Sequence, residues 1–145
     1  NLASVPGAIV PDVVIETLSQ LLAMDGAGAR VGMVCEALLN LSILTCSRAN
    51  IVDAGAMEVV RQLLSLSDST ETLACVANVL CNLSSMRVNQ VDMVREGMVN
   101  FIVKIVRAAP PVVVLQFCAM AMAYLACNAR FHPDILSAGG LKTLV

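Results

Sequence analysis

ANVLCNLS occupies residues 77–84, and this stretch decides the fold because its pattern returns at a constant distance along the chain. Its Asn82-Leu83 pair has one counterpart earlier in the chain, Asn40-Leu41, and one later, Tyr124-Leu125, and the two intervals are equal. A spacing of about 42 residues that is kept twice without a gap predicts an internal repeat rather than a chance similarity.

Three glycines provide a second landmark with the same period. Gly55, Gly97 and Gly139 each follow a short apolar stretch, and the intervals between them equal those between the Asn-Leu landmarks. A glycine directly after a short helix is typical of a left-handed cap at the C-terminus of that helix. The repeat unit is therefore predicted to contain a short helix that ends at this glycine.

Two rows of positions are apolar in every copy of the 42-residue unit. Their internal spacings are those of residues on one face of an α-helix. The first row comprises Ile15, Leu18, Leu21, Leu22, Met57, Val60, Leu63, Leu64, Val99, Ile102, Ile105 and Val106. The second row comprises Val34, Ala37, Leu38, Leu41, Val76, Val79, Leu80, Leu83, Cys118, Ala121, Met122 and Leu125. Each unit is predicted to add two long amphipathic helices to the short one.

Helix-breaking residues separate the two long helices of each unit. They are Asp25-Gly26 with Gly28, then residues 67–70, then Pro110-Pro111. Ser69 or Thr70 is expected to cap the helix that follows. Pro111 is expected in the first turn of its helix, where the missing N–H costs little.

The stretch IVDAGAM at residues 51–57, followed by RQLL at 61–64 and by residues 77–84, resembles the armadillo repeat. HEAT repeats are the close alternative, but the isolated glycine and the Asn-Leu pair favour armadillo. The resemblance implies an all-α fold: a right-handed α-α superhelix with three helices in each repeat of about 42 residues.

The repeat register divides the whole chain. We expect residues 1–4 to be the tail of a preceding repeat, residues 5–46, 47–88 and 89–130 to be armadillo repeats, and residues 131–145 to begin a further, truncated repeat. Position 1 is Asn, and the last residues look like the first turns of a helix. We therefore expect the chain to belong to a longer armadillo-repeat protein and to pack against flanking repeats.

Composition narrows the class of partner. Apolar residues make up 58% of the chain, charged residues make up 14%, and the net charge is −2. No run of basic residues is present, which argues against nucleic acid, because binding to nucleic acid rests on neutralising phosphates. The high apolar content indicates a membrane protein or a chain whose surface is covered by other protein.

The membrane alternative rests on one apolar run. Residues 112–127 are interrupted only by Gln116. This run is shorter than the roughly 18–20 residues that cross a bilayer, and it lies in register with two amphipathic segments. We therefore expect no direct membrane insertion.

The residue types that carry chemistry are sparse. The six cysteines (Cys35, Cys46, Cys75, Cys81, Cys118 and Cys127) form no C-x-x-C pair and match no zinc spacing. They are expected to be reduced core thiols in a cytoplasmic or nuclear, intracellular protein. His132, the single histidine, is expected to be solvated or to cap a helix. These observations predict no metal, no cofactor and no enzymatic activity.

The third helix of each armadillo repeat lines a concave groove, and the apolar rows leave one stripe of it free. This stripe is the candidate partner-binding site: Met33, Glu36, Asn40, Cys75, Asn78, Asn82, Phe117, Met120 and Tyr124. The resemblance implies that Asn40 and Asn82 hydrogen-bond the main chain of a bound peptide. The alternative is that each asparagine caps its own helix.

Known modes of armadillo recognition do not carry over to this stripe. Importin-alpha adaptors have Trp four residues before the groove asparagine, whereas Glu36, Asn78 and Met120 occupy those positions here. A beta-catenin-like groove would be rich in Lys and Arg, and the stripe has neither. The predicted function is a non-catalytic scaffold that binds a protein partner, an apolar peptide or helix, chiefly near Phe117 and Tyr124. A purely structural spacer is the alternative, and a membrane-embedded protein or an enzyme of unknown class is less favoured.

Overall fold

The structure, a computed structural model, describes residues 12–139. Nine α-helices and two short 3-10 turns make up its regular elements, and no β-strand occurs in this range. The all-α prediction is confirmed. The helices are α1 (Asp12–Ala23), α2 (Val31–Ile43), α3 (Arg48–Asp53), α4 (Ala56–Leu66), α5 (Thr70–Ser84), α6 (Arg87–Arg95), α7 (Met98–Arg107), α8 (Val112–Ala126) and α9 (His132–Ser137). The 3-10 turns are Ala27–Arg30 and Ala129–Phe131.

The helix boundaries keep the period found in the sequence. Helices α3, α6 and α9 end one repeat period apart, and the same interval separates the starts of α4 and α7 and the ends of α5 and α8. Two helix triplets, α3–α5 and α6–α8, are complete. The predicted tail at residues 1–4, the first helix of unit 5–46 and residues 140–145 lie outside the described residues.

The repeated glycine has a conformational reason. Gly55, Gly97 and Gly139 have φ angles of 105°, 100° and 73°, in the left-handed region. A side chain in this region clashes with the backbone, so glycine is the residue that suits it. Each glycine ends the short helix, and at Gly55 and Gly97 the chain turns directly into the next long helix.

Equivalent helices of successive units lie side by side. Helix α2 packs against α5, and α5 packs against α8. Helix α1 packs against α4, and α3 packs against α6. The two predicted apolar rows fill the space between these layers, so the core is continuous along the described part of the chain.

The predicted core is buried at all but four positions. Leu21, Ala37, Leu41 and Val106 are only half-buried. Leu41 was expected at a buried interface, and that prediction is wrong. The first three lie on α1 and α2, which have an equivalent helix on one side only among the described residues. Val106 lies in the last turn of α7.

The breaker segments act in three different ways. Ser69 caps α5, as expected: its hydroxyl accepts a hydrogen bond from the Thr72 N–H at 3.2 Å. Pro111 precedes α8 instead of lying in its first turn, because the helix begins at Val112. In the first unit, the glycine-containing segment forms the 3-10 turn Ala27–Arg30 before α2 starts.

No single helix within residues 12–139 is both long and apolar enough to cross a membrane. Helix α8 and the segment Ala129–Ser137 meet the length and composition requirement only together, and the chain bends by 109° between them.

Candidate partner-binding surface

Helix α5 has a neighbour on each of two opposite sides, and this arrangement determines what it exposes. The Cys75 thiol donates to the Cys35 carbonyl oxygen at 3.1 Å, and the Asn82 amide donates to the Ser42 hydroxyl at 3.0 Å. These residues therefore face α2. A helix rotates about 100° per residue, so Ala77, two residues after Cys75, points to the opposite side of α5, where α8 packs.

Cys75 does not belong to the exposed stripe. Its side chain is buried, with 9% of its surface exposed. The expectation failed because the apolar rows identify only the residues that face the core. They do not identify residues that are covered by the equivalent helix of the preceding unit, and α2 covers Cys75 in this manner.

The equivalent positions on α2 are exposed. Met33 is 62% exposed, and Asn40 is exposed as well. The Asn40 side chain has no hydrogen-bond partner among residues 12–139. These side chains are accessible because no equivalent helix precedes α2 in that range.

One position per unit lies on the helix face that is not turned toward an equivalent helix of another unit. It is occupied by Glu36, Asn78 and Met120 on α2, α5 and α8. Glu36 is exposed, Asn78 is half-buried without a side-chain hydrogen bond in the described range, and Met120 is 48% exposed. Along the stack the surface therefore changes from a carboxylate to a neutral amide and then to an apolar thioether.

Helix α8 carries the apolar end of this surface. Phe117 is half-buried and packs against the core, whereas Tyr124 lies at the exposed end with 36% of its surface accessible. Val113, which is 53% exposed, extends the same helix face by two turns. Sequence analysis missed Val113, although its position seven residues before Met120 is a signal for a shared face.

Asn82 forms a hydrogen bond that was not considered from the sequence. It does not cap its own helix, because its amide bonds the Ser42 hydroxyl of the preceding unit. That hydroxyl in turn donates to the Leu39 carbonyl oxygen at 2.7 Å. The carbonyl oxygen of the Asn82 side chain accepts no hydrogen bond within residues 12–139, so it can serve as an acceptor.

A second series of repeated residues was not recognised from the sequence. Arg48, Gln90 and His132 occupy equivalent positions of successive units, and each donates to the backbone carbonyl six residues earlier, at 2.8, 2.9 and 2.9 Å. These bonds satisfy carbonyls at the end of the preceding long helix. Arginine, glutamine and histidine have only an N–H donor in common, so these positions form no recognisable motif in the sequence. The expectation that His132 is solvated or caps a helix is confirmed, because it is exposed and binds such a carbonyl.

Gln90 has a further feature. Its side-chain N–H group also donates to the Tyr124 carbonyl oxygen at 3.3 Å, which ties α6 to α8. Its own side-chain oxygen, Oε1, is buried without a hydrogen-bond partner in the described part of the chain.

The cysteines fall into two groups. Cys35, Cys75, Cys81 and Cys118 are buried, as expected for core thiols, whereas Cys46 and Cys127 are exposed, so the prediction is wrong for those two. Among residues 12–139, no cluster of three or more His, Cys, Asp or Glu side chains is arranged to hold a metal ion.

Comparison of the chain with protein-family models, with curated proteins and with solved structures gives no match.

Proposed function

We propose that this chain is part of an armadillo-type right-handed superhelix and binds a protein partner, without catalysis, along the open side of α2, α5 and α8. Three structural features support the superhelix: helix ends that recur at the repeat period, left-handed glycines at one position of each unit, and equivalent helices in contact. Four buried thiols suit a reducing intracellular compartment, cytoplasmic or nuclear.

The observation that carries the proposal is a surface open across three stacked helices, with polar side chains that have no protein partner. The side chains of Glu36 and Asn78 form no hydrogen bond or ion pair within residues 12–139. An amide offers donors and an acceptor, so it can pair with the main chain of an extended peptide. Such a bond contributes about 1 kcal/mol net.

The apolar end of the surface provides the anchoring contacts. Phe117, Met120 and Tyr124 lie on one face of α8, together with Val113. Aromatic anchors of this kind carry most of the energy of protein interfaces, and truncating one costs about 2 kcal/mol or more. The partner is therefore an apolar peptide or helix that docks chiefly on α8.

The test compares two exposed apolar residues on different surfaces. A photoreactive amino acid is placed at Met120 or at Val88, which is 66% exposed on α6. Partners captured at Met120 are identified and expressed, and their affinity for the protein is measured. Met120→Ala and Tyr124→Ala should weaken binding at least tenfold, with Val88→Ala unchanged. Equal capture at both positions, or equal affinities, would contradict the proposal.

The alternative function, a structural spacer, also has an observation in its favour. Ala77 and Cys81 on α5 are buried on the side where α8 packs, whereas the equivalent Ala119 and Ala123 on α8 are exposed. A further unit of the same kind would cover them. If the spacer reading holds, photoreactive residues at Ala123 capture only neighbouring repeats, and Met120→Ala changes no affinity for another protein.

A further inference from the structure

Two cysteines from adjacent units meet in the interface between α2 and α5. The Cys75 sulfur lies 3.1 Å from the Cys35 carbonyl oxygen, which is two bonds from the Cys35 Cα atom. The two thiols are near enough for each to influence the ionisation of the other. Both residues are buried, with 7% and 9% of their surfaces exposed. The Cys75 sulfur therefore lies directly against the main chain of Cys35, and two cysteines that meet across a helix interface are the starting point for a disulfide.

The surroundings make one member of the pair the nucleophile. The neighbouring Cys75 thiol lowers the pKa of the Cys35 thiol, burial opposes this effect, and the Thr72 hydroxyl lowers the pKa further. The neighbouring Cys35, together with burial, raises the pKa of Cys75. A thiolate, and not a thiol, reacts with peroxides and disulfides, so Cys35 reacts first.

We propose that Cys35 and Cys75 form a peroxide-sensitive dithiol that closes into a disulfide joining α2 to α5. The Cys35 thiolate attacks hydrogen peroxide: an S–O bond forms, the O–O bond breaks, and the departing hydroxide is protonated to water. The Cys75 sulfur then attacks the resulting sulfenic acid, so that an S–S bond forms and the S–O bond breaks. The second water leaves with the Cys75 proton. Two thiols are oxidised, and one peroxide is reduced to two waters.

The other buried cysteines lack this arrangement and serve as internal controls. Burial raises the pKa of Cys81, opposed by the charge of Arg48, and burial together with the nearby Cys81 raises the pKa of Cys118 to about 11. Both remain protonated thiols at neutral pH. A disulfide between Cys35 and Cys75 would instead fix α2 against α5 beside the open surface, so oxidation would stiffen the proposed binding face.

The experiment starts from the Cys46→Ser/Cys127→Ser variant, because both replaced residues are exposed and four of the six cysteines remain. The folded variant is treated with hydrogen peroxide, quenched with catalase and alkylated in denaturant. We expect two of the four thiols to escape alkylation and to return after reduction. Trypsin should then yield residues 31–48 linked to residues 62–87, and fragmentation should place the bond at Cys75.

Two controls make the result specific. Adding Cys75→Ser should abolish the link, and adding Cys81→Ser should leave it intact; if the first variant fails to fold, the fragmentation map of the parent decides. The oxidised protein should also melt at a higher temperature than the reduced protein, because the bond closes a loop of about 40 residues. Four alkylated thiols after peroxide treatment, a bond at Cys81, or a Cys35 that stops at sulfinic acid would overturn the proposal.

Discussion

Leu80→Ala tests the repeat register at its centre, because Leu80 belongs to the second apolar row and lies on the middle one of the three stacked long helices. Its side chain is completely buried. The substitution removes three carbon atoms, and at about 0.8 kcal/mol for each buried CH₂ the lost transfer free energy is about 2.4 kcal/mol. Helix α5 packs against α2, α4 and α8, so a cavity at this buried position cannot collapse freely. The expected loss in free energy of unfolding therefore rises to about 3–4 kcal/mol.

The matched control is Leu66→Ala, which makes the same chemical change at the last residue of α4. Leu66 is 42% exposed, and we expect a loss below about 1 kcal/mol. Urea unfolding followed by circular dichroism measures the free energy of unfolding of both variants. The urea concentration at the midpoint should fall, and the slope of the free energy against urea concentration should stay unchanged. A loss below about 0.5 kcal/mol for Leu80→Ala, or equal losses for the two variants, would refute the register.

Three further predictions concern the backbone, a cap and a thiol. Gly55→Ala should destabilise the protein by about 1–2 kcal/mol because its φ angle is 105°; the new Cβ would meet no atom within 4 Å, so backbone strain is the cause. Gly32→Ala, inside α2, should instead stabilise the protein by about 0.5–1 kcal/mol. Melting temperatures that shift in the same direction for both variants would contradict this. Ser69→Ala should cost about 1 kcal/mol of unfolding free energy, and Ser69→Asp should restore most of it. The pKa of Cys118 is raised from 9.0 to about 11, so its contribution to stability is present below pH 9 and is lost as the pH rises toward 11. Between pH 9 and pH 11, the free energy of unfolding measured in urea should therefore fall less for Cys118→Ala than for the unchanged protein.

The helices could be predicted from the sequence because their cause is local. Apolar residues at helical spacing, such as Leu63 and Leu64 with Val60, determine which face of a helix is buried whatever lies opposite. The left-handed glycines were predictable for the same reason, because a positive φ angle restricts which residue type can occupy that single position. The repeat period then followed from counting between equivalent landmarks.

The surface could be predicted only in part, because exposure depends on neighbours that are distant in sequence. Cys75 and Met33 occupy equivalent positions, yet the first is buried under α2 and the second is 62% exposed. A helical wheel of one unit cannot separate them. The series of Arg48, Gln90 and His132 was missed for a related reason: the common feature is the carbonyl that each side chain reaches, and not the residue type.

The position held by Glu36, Asn78 and Met120 changes its chemical character from one unit to the next while remaining at least partly exposed. None of the three side chains belongs to the buried core, so we expect substitutions there to leave the core packing intact. A carboxylate at one end would repel an acidic partner, and the thioether at the other end favours apolar groups. A partner that is basic at the Glu36 end and apolar at the Met120 end satisfies both, and it would therefore lie on the surface in one direction only.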